Sequence, residues 1–450
     1  MVSFNPDAVT TQIQDALAHN DIDLAIQILE SLRGPDQAEV FSDLDEQDKI
    51  ALLPRLDPST SADILEELED EDAAELMRAL SSNNAIRILD EMEPDEAADL
   101  LGDIGQDQAD AILAGMEHPE EVRPLLLHPD DSAGGLMTSE FLALRRRMTA
   151  REALEAIRRW QPESENVYHL FVIDGQDSLV GVVSLRQLIV ADPDSLLVEI
   201  MDPDVITVQA GADQEQCAQI MTRYDLNALP VVNGNRRLIG VITIDDVIDV
   251  IEEETTEDIQ RLGGAQPLES PYLSTRIWTV FRKRVGWLML LLVTGSLTGT
   301  VMRLFEDELS TVVALSFFIP LLVGTGGNAG SQTTSTIIRA LAVGEIDLTD
   351  ALHSIWHELR VGLLLGVSMA VIAYIRAITW GSGQGLALAV SLAIFTIVVW
   401  ANGLGAFLPI LAARLKIDPT VVSGPVMSTL VDATGLFIYF MIAKIILGLW

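Results

Sequence analysis

From Arg33 to Met116 the apolar residues return every twelve positions, in seven consecutive units that begin at residues 33, 45, 57, 69, 81, 93 and 105. The eighth position reads Val40, Leu52, Ile64, Leu76, Ile88, Leu100 and Ile112; the ninth reads Phe41, Leu53, Leu65, Met77, Leu89, Leu101 and Leu113; the twelfth reads Leu44, Leu56, Leu68, Leu80, Met92, Ile104 and Met116. These offsets share one face of a helix of about two turns. The Pro, Asp or Ser that opens most units supplies an N-cap and a turn. A helix so short cannot bury its face alone, so the period predicts a stacked array of short helices with carboxylates outside.

A different pattern repeats twice between residues 136 and 254. FVIDGQDSLVGVVSLRQL at 171–188 matches LPVVNGNRRLIGVITIDDV at 229–247, and Met137-Thr138 matches Met201-Asp202-Pro203 as an opening. Each copy reads as strand, Gly-containing turn, strand, then a helix started by Ser184 or Thr243. The second copy runs into DDVIDVIEEETTED at 245–258, where Val247, Ile248, Val250 and Ile251 form a helical stripe and eight carboxylates, with Thr255 and Thr256, fill the remaining positions. Like charges at i,i+3 and i,i+4 repel, so this helix is costly unless cations or basic partners lie nearby, and it reads either as a solvated linker helix or as a divalent-cation site.

Beyond residue 276 the pattern becomes continuously apolar. Arg282, Lys283 and Arg284 precede a run from Val285 to Leu304, about the ~20 residues that cross a bilayer. Four more spans read at about 310–341, 361–380, 385–413 and 421–449. Arg282, Lys283, Arg284, Arg339, Arg360, Arg414 and Lys416 fall on one side and Glu306, Asp307 and Glu308 on the other. The positive-inside rule therefore puts the first 275 residues in the cytosol and the C-terminus outside. Trp278, Trp287, Trp356, Trp380, Trp400 and Trp450 are read as interfacial rings near span ends.

Charge sharpens this division. The 450 residues carry 67 acids against 28 Lys and Arg, a net charge of −39, whereas residues 276–450 hold 9 acids and 11 bases. Almost all the excess is in the soluble part, as solvated carboxylates, a salt-adapted surface or a cation-binding one. It excludes an electrostatic nucleic-acid binder. The one cysteine, Cys217, permits no internal disulfide and fits a reducing compartment. The opening residues show neither a basic stretch nor an apolar run, so no cleavable signal peptide is expected.

Two spans carry residues that lipid rejects. The second holds Pro320 and then GTGGNAGSQTTST at 324–336, whose glycines are expected to loosen the helix and free carbonyls; Asn328, Gln332 and Thr336 recur on one face. The fifth holds Asp432, the one acid deep inside a predicted span, with Ser428, Thr429 and Gly435 within a turn. An ionised carboxylate there costs on the order of 2.5–3.5 kcal/mol, so it calls for a cation, a donor or water; it reads as part of an ion pathway, with a protonated structural Asp or a proton relay as the alternatives. Asn402, Pro409, Ser423, Gly424 and Pro425 are read as further breaks. Carboxylate, amide and hydroxyl oxygens suit a hard divalent cation that keeps much of its water. These two spans offer no Cys or His to favour a softer metal. A membrane-anchored sensor that does not conduct stays open as an alternative. An enzyme is disfavoured, since no phosphate loop or nucleophile–base set is present and His353, His357 and Glu358, with zinc-like spacing, fall in an interfacial loop helix.

The doubled module resembles a tandem pair of CBS domains, and the whole chain resembles the MgtE family of magnesium transporters and channels. The motifs that carry the likeness are Ala133-Gly-Gly-Leu-Met-Thr138, Pro320 with Gly324-Thr-Gly-Gly-Asn328-Ala-Gly-Ser-Gln332, Ser423-Gly-Pro425, and Asp432-Ala-Thr-Gly435. The implied architecture is a mostly α membrane protein. An α-helical repeat N-domain (1–130) leads into α/β tandem CBS domains (131–199 and 200–252), an acidic connecting helix (253–275) and a five-span all-α transmembrane domain (276–450). The resemblance implies a homodimer in the plasma membrane, surrounded by lipid, with a pore on its two-fold axis lined by spans two and five. Asp432 matches the pore carboxylate, and Asn328 lies in the matching pore segment. Cytosolic magnesium ligands are implied at Asp95, Asp99, Asp225, Asp246, Asp249, Glu254, Glu257, Asp258 and Asp418. The CBS likeness further implies a nucleotide, ATP, at Thr243 and Asp246, the hydroxyl residue and the Asp three positions later; the first copy departs from that pattern with Ser184 and Gln187.

Overall fold

The structure is a computed structural model that describes residues 5–160, 169–268, 272–273, 275–422 and 424–449. Ser423 and Trp450, singled out above, lie outside the described residues. The chain divides into two compact units, Met1–Glu252 and Glu253–Trp450.

In the first unit every twelve-residue repeat yields one helix: Gly34–Ser42, Glu46–Leu52, Pro58–Glu66, Asp70–Ala79, Ser82–Leu89, Pro94–Asp103 and Gln106–Leu113. Proline opens three of them, where its missing N–H costs nothing, and Ser81 accepts from the backbone N–H of Asn84. The eighth and ninth positions are buried throughout, and so are the twelfth except half-buried Leu68. Each buried Leu or Ile contributes roughly 1.5–3 kcal/mol. Helices pair with the next but one: Gly34–Ser42 packs on Pro58–Glu66, which packs on Ser82–Leu89, which packs on Gln106–Leu113, while Glu46–Leu52, Asp70–Ala79 and Pro94–Asp103 form the parallel row. Two rows of short helices thus close over one core.

The two copies that follow have the same topology. Ala143–Arg145 pairs in parallel with His169–Ile173, which pairs antiparallel with Leu179–Ser184. Val208–Gln209, Ala228–Val232 and Leu238–Thr243 repeat the order. Their matching openings are exchanged: Thr138 of the first copy bridges to Val241 of the second, and Asp202 of the second bridges to Val182 of the first. A side chain at Gly181 would meet Met201, and one at Gly240 would meet Met137, so the repeated glycines are where the exchanged methionines lie.

Among the described residues the second unit holds five helices of membrane-crossing length and composition: Ile277–Leu304, Val313–Ala342, Leu348–Thr379, Gln384–Arg414 and Gly424–Leu447. Three sequence readings need correction. The glycines of span two do not loosen it, because Ile319–Ala342 is an unbroken helix. Instead Gly326 and Gly330 lie against Val431 and Met427 of span five, close enough that only a missing side chain lets the helices approach. Asn402 and Pro409 likewise sit inside the continuous helix Gln384–Arg414. Span three starts a dozen residues earlier than hydropathy suggests, so His353, His357, Glu358 and Arg360 ride on its first turns. Trp400 lies in mid-span, where its indole N–H donates to Thr434 Oγ1 at 3.1 Å.

The nearest neighbour of Gly405 is backbone. A Cβ there would come within 2.7 Å of the Gly330 carbonyl oxygen and 3.1 Å of Thr333 Cβ. Backbone cannot swing aside, so Gly405→Ala should lower stability by about 1–3 kcal/mol, read as a drop in melting temperature of the purified protein in detergent.

Candidate functional site

Span five brings Asp432 to span two. The carboxylate is half-buried, and its Oδ1 lies 3.6 Å from where a Cβ on Gly327 would stand, so the absent side chain leaves the acid beside the helix backbone. Below it Ser428 Oγ lies 3.3 Å from Ser331 Oγ, which also donates to the Gly424 carbonyl at 3.2 Å. Asn328, Gln332, Ser335 and Thr336 of span two are exposed within the protomer. A polar stripe of this kind on a membrane helix requires water or a further protein surface.

On its opposite side span two enters a buried polar network. Thr333 Oγ1 donates to Asn402 Oδ1 at 2.8 Å and lies 3.2 Å from Glu358 Oε2, while Asn402 Nδ2 donates to the Val398 carbonyl at 2.8 Å. Asn402 is read from sequence only as a helix break and Glu358 as part of an interfacial loop helix; with Thr333 they sit on three different helices, and no spacing in the sequence joins them. The ring Nδ1 of His357 is 3.4 Å from Glu358 Oε1.

A second constellation forms in the acidic unit, where the repeat helix Pro94–Asp103 and the helix Ile244–Leu262 present carboxylates to each other. Asp95 is buried, and its Oδ1 has no hydrogen-bond partner. Burial, with the charges of Asp246, Glu93 and Glu96, raises its pKa far above the ordinary value. Burial and neighbouring acids push Glu93 up to about 7, and Glu96 and Asp99 up to about 8. Asp246 and Asp249 are also raised, first by burial. Glu93 and Glu96 escape the sequence reading because they occupy the cap and first-turn positions of a repeat unit, where acids are ordinary.

Asp246 has a second task. Its Oδ2 accepts from Thr243 N at 3.2 Å and from Thr243 Oγ1 at 2.5 Å, closing the first turn of Ile244–Leu262. Gln187 does the same for Ser184, accepting at 2.7 and 2.8 Å. The hydroxyl-plus-three pattern is thus a helix cap in both copies. Asp225 is exposed at the end of Gln214–Tyr224, in the left-handed region with φ 52°.

In the second unit Glu254, Glu257 and Asp258 line the end of the connecting helix, and Asp418 sits in the loop before span five. Burial and the charges of Asp418, Glu254 and Glu257 push Asp258 up to about 6. Among the described residues no three His, Cys, Asp or Glu side chains meet closely enough to hold one ion together. Magnesium dehydrates reluctantly and is commonly held by one or two carboxylates through its own waters, so such an arrangement suits it better than a dry cage.

Comparison with known proteins now decides the class. A family profile described as a divalent cation transporter matches residues 319–442, one described as the MgtE intracellular N domain matches 32–131, and CBS domains match 133–194 and 197–253. The magnesium transporter MgtE of Thermus thermophilus is 43% identical over 327 residues, 73% of this chain and 72% of that one. The chain belongs to the MgtE family of magnesium transporters. The Bacillus subtilis magnesium transporter MgtE is 34% identical over 322 residues, 72% of this chain and 71% of that protein. Of solved structures, the cytosolic domain of the Mg2+ channel MgtE in complex with ATP aligns over 54% of this chain and 99% of its own, at 35% identity and TM-score 0.51. The soluble part of a magnesium transporter aligns over 56% of this chain at 31% identity and TM-score 0.50.

As a member of this family the protein is a multi-pass membrane transporter and not an enzyme. Its raised carboxylates have a measurable consequence. Their folded pKa values of about 7–8 exceed the ordinary values of 3.8 and 4.5, so the stability they confer is complete below about pH 4 and is lost as pH rises through 7–8. In chelator the acidic unit should therefore melt at least about 5 °C lower at pH 8.5 than at pH 6. Added magnesium should restore more of the melting temperature at pH 8.5, where it does not compete with protons. An equal magnesium effect at both pH values would contradict this.

Proposed function

We propose that this protein carries magnesium across the plasma membrane as a homodimer, along a pore on the two-fold axis lined by spans two and five. Supporting this is the polar face of span two, with Asp432 beside Gly327 and with Asn328, Gln332, Ser335 and Thr336 exposed within the protomer. A second copy across an axis would double the single carboxylate and enclose neutral oxygens around a hydrated ion.

Cytosolic magnesium closes the pore by bridging carboxylates. Asp95, Asp99, Asp225, Asp246 and Asp249 hold it in the acidic unit, and Glu254, Glu257, Asp258 and Asp418 hold it at the end of the connecting helix and the loop before span five. When the ion is scarce these groups repel and the closed form loses its support; when it is plentiful it binds the closed form better and shifts the equilibrium. The ATP-bound relative supports a nucleotide at Thr243 and Asp246, which would have to open the cap between them.

The test is uptake of magnesium into liposomes that hold the purified protein. Uptake above that of empty liposomes, suppressed by millimolar magnesium on the cytosolic side, is expected. Binding of magnesium without uptake would instead make the protein a sensor.

A further inference from the structure

Arg261 lies next to the end of the connecting helix Ile244–Leu262, and its guanidinium meets two carboxylates at once: Glu257, one turn earlier, and Asp418, in the loop between spans four and five. Asp418 is held in place by its own loop, accepting from Thr420 N at 2.8 Å and from Thr420 Oγ1 at 2.6 Å. Glu254 and Asp258 add their charges to the group, and Arg261 is the cation that offsets them at Asp258. The side chains of Arg261, Glu257 and Asp418 are 37%, 28% and 34% exposed. Ion pairs this accessible to water are weak and exchangeable.

We infer that Arg261 is a tethered cation that competes with cytosolic magnesium for Glu257 and Asp418, and so sets the magnesium concentration at which the pore closes. The inference rests on the gating reading above. Guanidinium and a hydrated divalent ion seek the same carboxylate oxygens, but the arginine is permanently charged and attached to the helix, so its effective concentration is high and constant. A magnesium ion entering this group must displace it. Affinity is therefore lower than that of the same carboxylates alone, and closure waits for a higher ion concentration.

The rest of the contact does not depend on Arg261. Lys283 Nζ donates to the Pro267 carbonyl at 2.6 Å, Gln266 N donates to the Lys283 carbonyl at 3.2 Å, and Leu268 N donates to Gln260 Oε1 at 2.8 Å. Gly264, with φ +74°, packs so closely under Trp287 that a Cβ would lie 2.6 Å from the indole nitrogen. These contacts hold the end of the helix on span one when the arginine is changed, so substitution alters the charge group and leaves its frame.

The experiment uses the full-length protein. Two midpoints are measured in wild type and Arg261→Gln: the cytosolic magnesium that halves flux in liposomes, and the magnesium that half-protects the connecting helix from protease in detergent. The second reads binding without transport. Both should fall by about threefold to tenfold in Arg261→Gln. Arg261→Lys, which keeps the charge but not the two-armed reach, should fall less. In a background carrying both Glu257→Gln and Asp418→Asn, Arg261→Gln should shift neither midpoint further. Midpoints that stay or rise in Arg261→Gln would overturn the inference, leaving the arginine as a strut. A wild type whose flux does not respond to cytosolic magnesium would overturn the gating reading itself, a result the wild-type control shows separately.

Discussion

Asp432→Ala is expected to abolish magnesium uptake, by at least about tenfold and to the level of empty liposomes if both copies contribute at the axis. The carboxylate is the one acid that span five carries in the membrane, and it stands against the Gly327 backbone with no side chain between. A hydrated divalent ion crossing hydrocarbon needs a compensating charge, and two carboxylates related by symmetry match its +2. Taking away an acid that lipid disfavours does not weaken the fold. The variant should thus elute at the same size as wild type and melt at an equal or higher temperature, which separates lost transport from lost structure. Asp432→Asn keeps shape and hydrogen-bonding oxygen but not charge, and should fail nearly as badly. Flux retained in Asp432→Asn would mean that size, not charge, governs passage.

The second large effect is expected for Asp95→Asn combined with Asp246→Asn. Asp95 presents a buried oxygen with no hydrogen-bond partner, facing the charges of Asp246, Glu93 and Glu96. Such a group is costly unless protonated or bridged by a cation. With both carboxylates replaced by amides the repulsion falls, and the reason for the ion to bind falls with it. The ratio of flux without and with millimolar cytosolic magnesium should approach one, and protease resistance of the acidic unit should become high without magnesium. The same ratio in the double variant as in wild type would show that the ion acts elsewhere. Uptake at low cytosolic magnesium need not be equal in the two proteins, so the ratio is the quantity to compare.

Much of this was legible in the chain because burial leaves a period. Twelve-residue spacing gave one helix per unit since the eighth, ninth and twelfth positions are the ones that face the core, down to half-buried Leu68. The doubled module was legible in its glycine and hydroxyl positions, although Gly181 and Gly240 turned out to accommodate Met201 and Met137 across an exchange that no local pattern encodes. Composition misled where one residue type serves two purposes. Glycines in span two read as breaks, yet they admit span five to close range inside an unbroken helix. Charged residues delayed the apparent start of span three, which hid Glu358 from view; Thr333 and Asn402 meet it only through the packing of three helices. Arg261 could not be linked to Asp418 by spacing, since 157 residues separate them.

The proposed pore requires that water reach residue 432 from the aqueous side, between two copies of the chain. Cys217 is the one native cysteine and is buried, so a Cys217→Ser background carrying Asp432→Cys offers a single reporter. In liposomes a charged, membrane-impermeant thiol reagent should modify Cys at 432 and magnesium should slow the reaction. Modification by a lipid-soluble reagent alone, unaffected by magnesium, would place this position against lipid and contradict the account.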